Sequence, residues 1–385
     1  MKRLLAFIVL ISGFLLFPLP AAGSPAAAAP PLADTLCLPG VYPDTPADCL
    51  PLGPSEYLTR LAQRGFTFPA QPLPAQAPNS KLAYLPYSYA KVIGAEPRVF
   101  ETLEAAVEGK PVKRYIETGF DYVSYSEIQI VKEKKYYRIA PNEWMRANDL
   151  SAGVVTSSFM GSEFYGTPQR KFGWILFPLE TQRAPGYQNR VFTGSKLARH
   201  DMIQVYDSVV MDDMTWHLIA PDQWVEQRYV ALVYPVSEPP AGVENGRWIE
   251  INLYEQTVSV YENNQLVFAT LTSTGLPGWW TRPGLFKIWE KFESTPMSGA
   301  FEADRSDYYY LEDVPWTMFF DEARAFHGAY WHNQFGYERS HGCANLSPGD
   351  SRWLFDWAVV GDWVYVWDPS GETPEDPSLY SAGGA

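Results

Sequence analysis

"YERSHGCANL", Tyr337 to Leu346, holds one of three cysteines in a chain of 385 residues. Just upstream, HGAYWHNQFG supplies His327 and His332, so three of the five histidines (His327, His332, His341) lie within the 16 residues before Cys343 (343 − 327 = 16). Near neutral pH only a small fraction of a thiol is thiolate, and an adjacent imidazole raises that fraction. A Cys with nearby His is therefore the minimum equipment for nucleophilic attack on a carbonyl. Gly342 removes the side chain that would block a bulky acyl group, and a tight Ser-His-Gly-Cys turn can aim successive N–H groups at a developing oxyanion. Two other readings of the same residues stand beside this one. A His/His/Cys cluster can bind zinc, although the spacing is irregular and no acidic ligand is obvious. A buried Cys among structural histidines can also be inert.

Whether that thiol is free depends on the N-terminus. MKRLLAFIVLISGFLLFPLPAAG has a positive start (Lys2, Arg3), an apolar run from Leu4 to about Leu19, and small residues from Ala21 to Gly23. Residues 1–23 thus have the form of a secretory signal peptide. A membrane is a partner only if that segment stays uncleaved. A lipid anchor fits less well, since Cys37 follows Asp34-Thr35-Leu36 and not small residues. Export places the chain where disulfides persist. Cys37 and Cys49 close a short loop studded with Pro39, Gly40, Pro43 and Pro46, and we pair them. Cys343 is then left over, and a leftover thiol in a secreted protein is intermolecular or reactive.

Composition narrows the class. With 46% hydrophobic and 15% aromatic residues the chain can build two or three ordinary cores. A net charge of −14 argues against a nucleic-acid or anionic-lipid partner, since no basic stripe exists to release counterions. Nothing in the sequence asks for a cofactor, and we assign no metal.

Outward from the cysteine the chain reads as mostly β. RWIEINLYEQTVSVYENNQLVFATLTSTG alternates apolar and polar residues, with Glu262-Asn263-Asn264 as a hairpin turn. TRPGLFKIWEKF, Thr281 to Phe292, predicts another strand pair, and GDWVYVWDP, Gly361 to Pro369, a closing strand. PGDSRWLFDWAV is the one good helix: Leu346-Ser347-Pro348 makes its N-terminus, and Trp353, Leu354, Trp357 and Ala358 fall on one face.

The middle of the chain is duplicated. YYRIAPNEWMRANDL, Tyr136 to Leu150, matches WHLIAPDQWVEQRYV, Trp216 to Val230, at an offset of 80 residues (216 − 136 = 80). Each copy predicts short alternating strands, and its turn–Trp–strand pattern resembles bacterial SH3-like modules, which implies a wall-binding role. Trp144 and Trp224 filling the cores of two small β-barrels is the alternative. The expected domains are residues 24–79 as a Pro/Ala-rich linker with the disulfide loop and a short helix, 80–155 and 156–236 as the two modules, 237–246 as a hinge, 247–368 as the catalytic domain, and 369–385 as a disordered tail.

His327-Gly328 followed by Ser340-His341-Gly342-Cys343-x-Asn345 closely resembles the signature of the L,D-transpeptidase catalytic domain of YkuD type. LTSTG (Leu271 to Gly275), TRPGLFKIWEKF and GDWVYV agree with it, and Arg282 stands where the family usually has proline. The resemblance covers about Arg247 to Asp368. It implies a β-sandwich with a late helix, with Cys343 as nucleophile and His327 as its base. It further implies that the Gly328 carbonyl orients the imidazole, and that N–H groups of His341, Gly342 and Cys343 form the oxyanion hole. Ser340 and Asn345 would hold the turn and the substrate, Trp331 and Tyr309 would line the acyl-donor pocket, and the insertion from about Glu293 to Trp316 would be a lid. His332 receives no role.

The implied reaction is acyl transfer on peptidoglycan stem peptides in the cell envelope, through a Cys343 thioester, with carbapenems as inhibitors. A stem amine as acceptor gives cross-links, a protein amine gives wall attachment, and water makes the chain an L,D-carboxypeptidase. A non-catalytic wall-binding protein is the second class of reading. A papain-like amidase is a third, and it fits poorly because His327 precedes Cys343 here.

Overall fold

A computed structural model describes residues 54–67, 70–117, 119–154, 156–188, 190–300 and 304–380. The leader and the Cys37–Cys49 pair lie outside the described residues. The chain divides into two compact units, Met1–Gln63 and Arg64–Ala385. In the first, the described part is the helix Pro54–Gln63, where the short helix was expected.

The second unit is built on a β-sandwich. One sheet has seven strands in the order 75–76, 162–164, 265–271, 257–262, 248–252, 363–367 and 284–287. Its centre is the expected hairpin, closed by Asn263 and Asn264 in left-handed conformation (φ 51° and 61°), which asparagine tolerates better than most residues. The closing strand Trp363–Trp367 returns parallel to Trp248–Asn252. The facing sheet runs 344–346, 324–328, 309–321, 120–125, 88–92 and 150–152, with 290–299 also paired to 309–321. Ile249, Ile251, Val258, Val260 and Val366 of the first sheet meet Met318, Phe320, Phe326 and Leu346 of the second. The helix Pro348–Trp357 seals this core with Leu354, and Ser347 caps it, its hydroxyl accepting the Asp350 N–H at 3.2 Å.

Two expectations about this domain are corrected. Thr281 to Phe292 does not form a strand pair with itself. Gly284–Lys287 joins one sheet and Glu290–Gly299 the other, because the chain crosses the sandwich at Ile288, whose side chain is in the core. The tail is not a free coil as far as residue 380. The Asp368 carboxylate accepts the N–H groups of Ser370 (2.8 Å) and Thr373 (2.8 Å), which turns the chain back. Tyr380 then lies with its ring 5.3 Å from the guanidinium of Arg324 and 6.5 Å from the ring of Trp280.

The repeat is a structural duplication. In the first copy strand 88–92 lies between 120–125 and 150–152, beside a sheet ordered 114–115, 98–100, 143–146, 134–140 and 127–131. In the second, 172–175 lies between 202–204 and 230–233, beside a sheet ordered 192–197, 179–182, 223–226, 214–220 and 207–211. Even the turns recur at the offset of 80: Lys132, Glu133 and Asn142 have positive φ, as do Asp212, Asp213 and Asp222. Trp144 and Trp224 are both buried.

The copies are not beads on a string. Strand Phe120–Tyr125 of the first continues the second sandwich sheet, and the segment between the copies adds Ser162–Phe164 to the other. The segment expected as a hinge buries Val243 in a core shared with Phe172 and Trp174 of the second copy and Trp248 of the sandwich.

Candidate active site

The site forms where two strands of the second sheet end. Arg324–Gly328 and Ala344–Leu346 run parallel, pairing Phe326 with Ala344 and His327 with Asn345. That register sets the imidazole of His327 and the thiol of Cys343, one residue before its strand begins, on the wall of one cavity of about 470 Å³. His332, His341, Trp331 and Tyr309 share the lining.

The turn carrying the cysteine is held from below. Ser340 Oγ donates to the Cys343 carbonyl (2.6 Å) and accepts the Gly342 N–H (3.0 Å). Thr281 Oγ1 donates to the Gly342 carbonyl (2.8 Å) and accepts the Gly275 N–H (3.1 Å). Gly342 sits at φ 123°, where an L side chain is strained, and a Cβ there would approach Arg324 Nε to 3.2 Å. Because Ser340 already takes the Gly342 N–H, that N–H serves the turn in this resting arrangement, a use the sequence did not foresee.

Burial sets the protonation states. Cys343 is 4% exposed, and burial pushes its thiol up to about 11 against the opposing pull of the Ala325 backbone N–H and the Arg324 guanidinium. The sulfur lies 3.8 Å from the Ala323 carbonyl, so its proton has an acceptor. His327 is pulled down to about 3, by burial first and by the neighbouring His332 second. The Gly328 carbonyl favours the protonated ring, yet Nδ1 of His327 makes no hydrogen bond. The resting pair is thus neutral thiol and neutral imidazole.

The aromatic residues are placed by stacking. His341 lies between Tyr309 (5.2 Å, 14° between planes) and Trp279 (4.4 Å). Trp331 has its ring 5.5 Å from that of His327. Asn345 is tied by its backbone to Ser273, while its side chain meets His332 Nε2 at 3.2 Å. His332, left without a role by the sequence reading, therefore connects the strand of the cysteine to the cavity wall. Burial and Arg339 hold it down at about 4.

Beneath the turn lies a buried ion cluster that no sequence signal pointed to. Asp321 is gripped by Arg282 (Nε 3.0 Å) and by Arg324 (Nη1 3.1 Å). Arg282, at the position of the family's usual proline, thus has a structural task. Phe120, Asp307 and Arg339 also line the cavity without having been foreseen. Among the described residues no group of three or more His, Cys, Asp or Glu is placed to hold a metal ion.

A thiol and an imidazole thus share one cavity wall on parallel strands of a β-sandwich, with a glycine at positive φ in the turn beside the sulfur. Residues 246–366 match the family model of the L,D-transpeptidase catalytic domain, YkuD, and the chain carries that domain. L,D-transpeptidase 1 of Mycobacterium tuberculosis is 29% identical over 160 residues, an alignment covering 37% of this chain and 62% of that protein. Among solved structures, the catalytic domain of the Enterococcus faecium L,D-transpeptidase is 26% identical with a TM-score of 0.29, covering 33% of this chain and all of that one. M. tuberculosis L,D-transpeptidase 1 is 22% identical with a TM-score of 0.27, covering 38% and 76%.

Proposed function

We propose that this chain is an exported cysteine L,D-transpeptidase that acts on peptidoglycan stem peptides in the cell envelope. The observation that carries the reading is the placement of Cys343 and His327 in one cavity by the His327–Asn345 strand register, within a domain matching the family model. Export rests on the leader-like residues 1–23.

The geometry supports the following steps. Cys343 Sγ attacks the carbonyl of the third stem residue as the imidazole of His327 takes the thiol proton. Burial raises the thiol and lowers the imidazole, so both rest neutral and the thiolate is formed when the imidazole takes the proton. Collapse of the tetrahedral intermediate breaks the amide bond, and the proton leaves with the terminal D-Ala amine. The side-chain amine of a second stem then attacks the thioester and restores the thiol. We assign the developing oxyanion to the N–H groups of His341 and Cys343, since the Ser340 N–H donates to the Thr274 carbonyl and the Gly342 N–H to Ser340 Oγ; Ser340 holds the turn, and Asn345, Trp331 and Tyr309 shape the donor site.

The test is to incubate the mature protein, beside Cys343→Ala, with ertapenem and with a tetrapeptide-bearing muropeptide, and to take intact masses. Ertapenem is chosen because the E. faecium catalytic domain has been solved acylated by it. An adduct on the wild type alone, D-Ala release and cross-linked dimers support the reading. Tripeptides without dimers make the chain a carboxypeptidase. No adduct and unchanged muropeptide from folded protein with a free thiol sink it.

A further inference from the structure

The first repeat copy reaches into the cavity of the catalytic domain. Its strand Phe120–Tyr125 pairs parallel with the strand Tyr309–Asp321, matching Phe120 with Tyr309 and Leu311 with Tyr122. The Phe120 N–H donates to the Tyr308 carbonyl at 3.0 Å. Gly119 makes the approach possible, since a Cβ there would run into that same carbonyl oxygen. Polar and aromatic contacts lock the joint. Ser124 donates through its N–H to Glu312 (2.8 Å) and through its hydroxyl to Asp313 (2.6 Å), Tyr89 donates to the Asp313 carbonyl (2.8 Å), and the rings of Tyr89 and Tyr330 stack at 3.6 Å. Hydrogen-bonded buried groups of this kind fix a geometry where a flexible tether would not.

The consequence is chemical. Phe120 lines the cavity that holds Cys343 and His327, together with Met297, Leu311, Asp307 and Arg339, while Lys91 Nζ stands 5.3 Å from the centre of its ring. Apolar side chains beside one acid and one base fit an aliphatic side chain that carries a charged end, as a diamino acid does. We propose that the first repeat copy is a wall of the acyl-donor site, and that Phe120 is a specificity-determining residue for donors whose attacked residue carries an amino-alkyl side chain. The idea rests on the transpeptidase reading above. It gives the repeat a task in selecting the donor, whereas a wall-binding module would work at a distance from the sulfur.

The experiment measures D-Ala release by the mature full-length protein and by Phe120→Ala, Phe120→Leu and Gly119→Ala. Two tetrapeptide donors are compared, one with a diamino acid at the third position and one with alanine there. Alkylation of Cys343 by iodoacetamide and the melting temperature report the integrity of the site. For Phe120→Ala, KM for the diamino donor should rise about five- to tenfold with kcat within about twofold, the alanine donor should be unaffected, and leucine should restore most of the loss. Gly119→Ala should act in the same direction by pushing the wall away. An unchanged KM for the diamino donor, or equal losses on both donors, overturns the proposal and leaves the transpeptidase reading intact. A wild type that is alkylated at Cys343 but releases no D-Ala from either donor overturns both.

Discussion

His327 and Asn345 face each other across the parallel strands 324–328 and 344–346, and the Asn345 side chain in turn meets His332. Nδ1 of His332 accepts the Gln334 N–H at 3.2 Å, so in the neutral ring the proton lies on Nε2. The structure sets Asn345 Nδ2 against that Nε2, and two donors cannot pair, so the amide is assigned turned over to present Oδ1, an atom otherwise buried without a partner. Asn345→Leu removes the acceptor and strands a buried donor, and should cost about 1–3 kcal/mol in urea unfolding. A loss below a few tenths of that would show that the pair does not hold the strand.

Arg324 and Asp321 predict a second effect. Both side chains are almost fully buried, and Arg282 shares the carboxylate. Arg324→Met leaves Asp321 with one partner and should destabilise by about 2–4 kcal/mol. Because the guanidinium favours the thiolate of Cys343, the variant's alkylation rate near pH 8 should also fall. An unaltered rate with the expected stability loss would limit Arg324 to a structural role.

Gly342 carries both a conformational and a steric demand. Alanine there must adopt φ near 123° and press toward Arg324 Nε, at a cost of about 1–3 kcal/mol. Acylation by ertapenem should fall much further than stability, because the shifted turn moves the sulfur. Wild-type acylation by Gly342→Ala would contradict this account of the turn.

His327 links stability to pH. Its folded value of about 3 lies below the ordinary value near 6.5, so between these limits the unfolded chain binds the proton that the folded chain refuses. Stability contributed by the neutral ring is complete above about pH 6.5 and is lost on acidification below it. Burial of Glu250 and Glu312, pushed up to about 7, works in the opposite sense over part of the same range, so the comparison must be made between variants. His327→Gln should reduce the stability lost between pH 7 and pH 5 by about 2 kcal/mol. Identical pH dependence in the two proteins would mean that the site relaxes to admit the charge.

Much of this was legible in local sequence. The Asn263-Asn264 hairpin, the capped helix at Pro348 and the 80-residue repeat each depend on contacts within a few residues or on a repeated pattern, and the structure has all three. The Ser-His-Gly-Cys turn was recognisable because its chemistry occupies adjacent positions. Thr281 belongs to the same turn through the Gly342 carbonyl, although 61 residues separate the two.

By itself, then, the sequence determined a mostly β chain with a duplicated middle, a late helix, and a cysteine turn preceded by the histidine that shares its cavity. Only the tertiary structure decided that residues 284–287 and 290–299 go to opposite sheets, that Asp321 binds two arginines, that the tail packs as far as Tyr380, and that Phe120 stands in the cavity of Cys343. Local propensity and periodicity are written in neighbouring residues, whereas strand partners and buried ion pairs depend on which distant surfaces exclude water together. Phe120 lies 223 positions before Cys343 (343 − 120 = 223), and no local pattern in its own segment points to the cavity it helps to close.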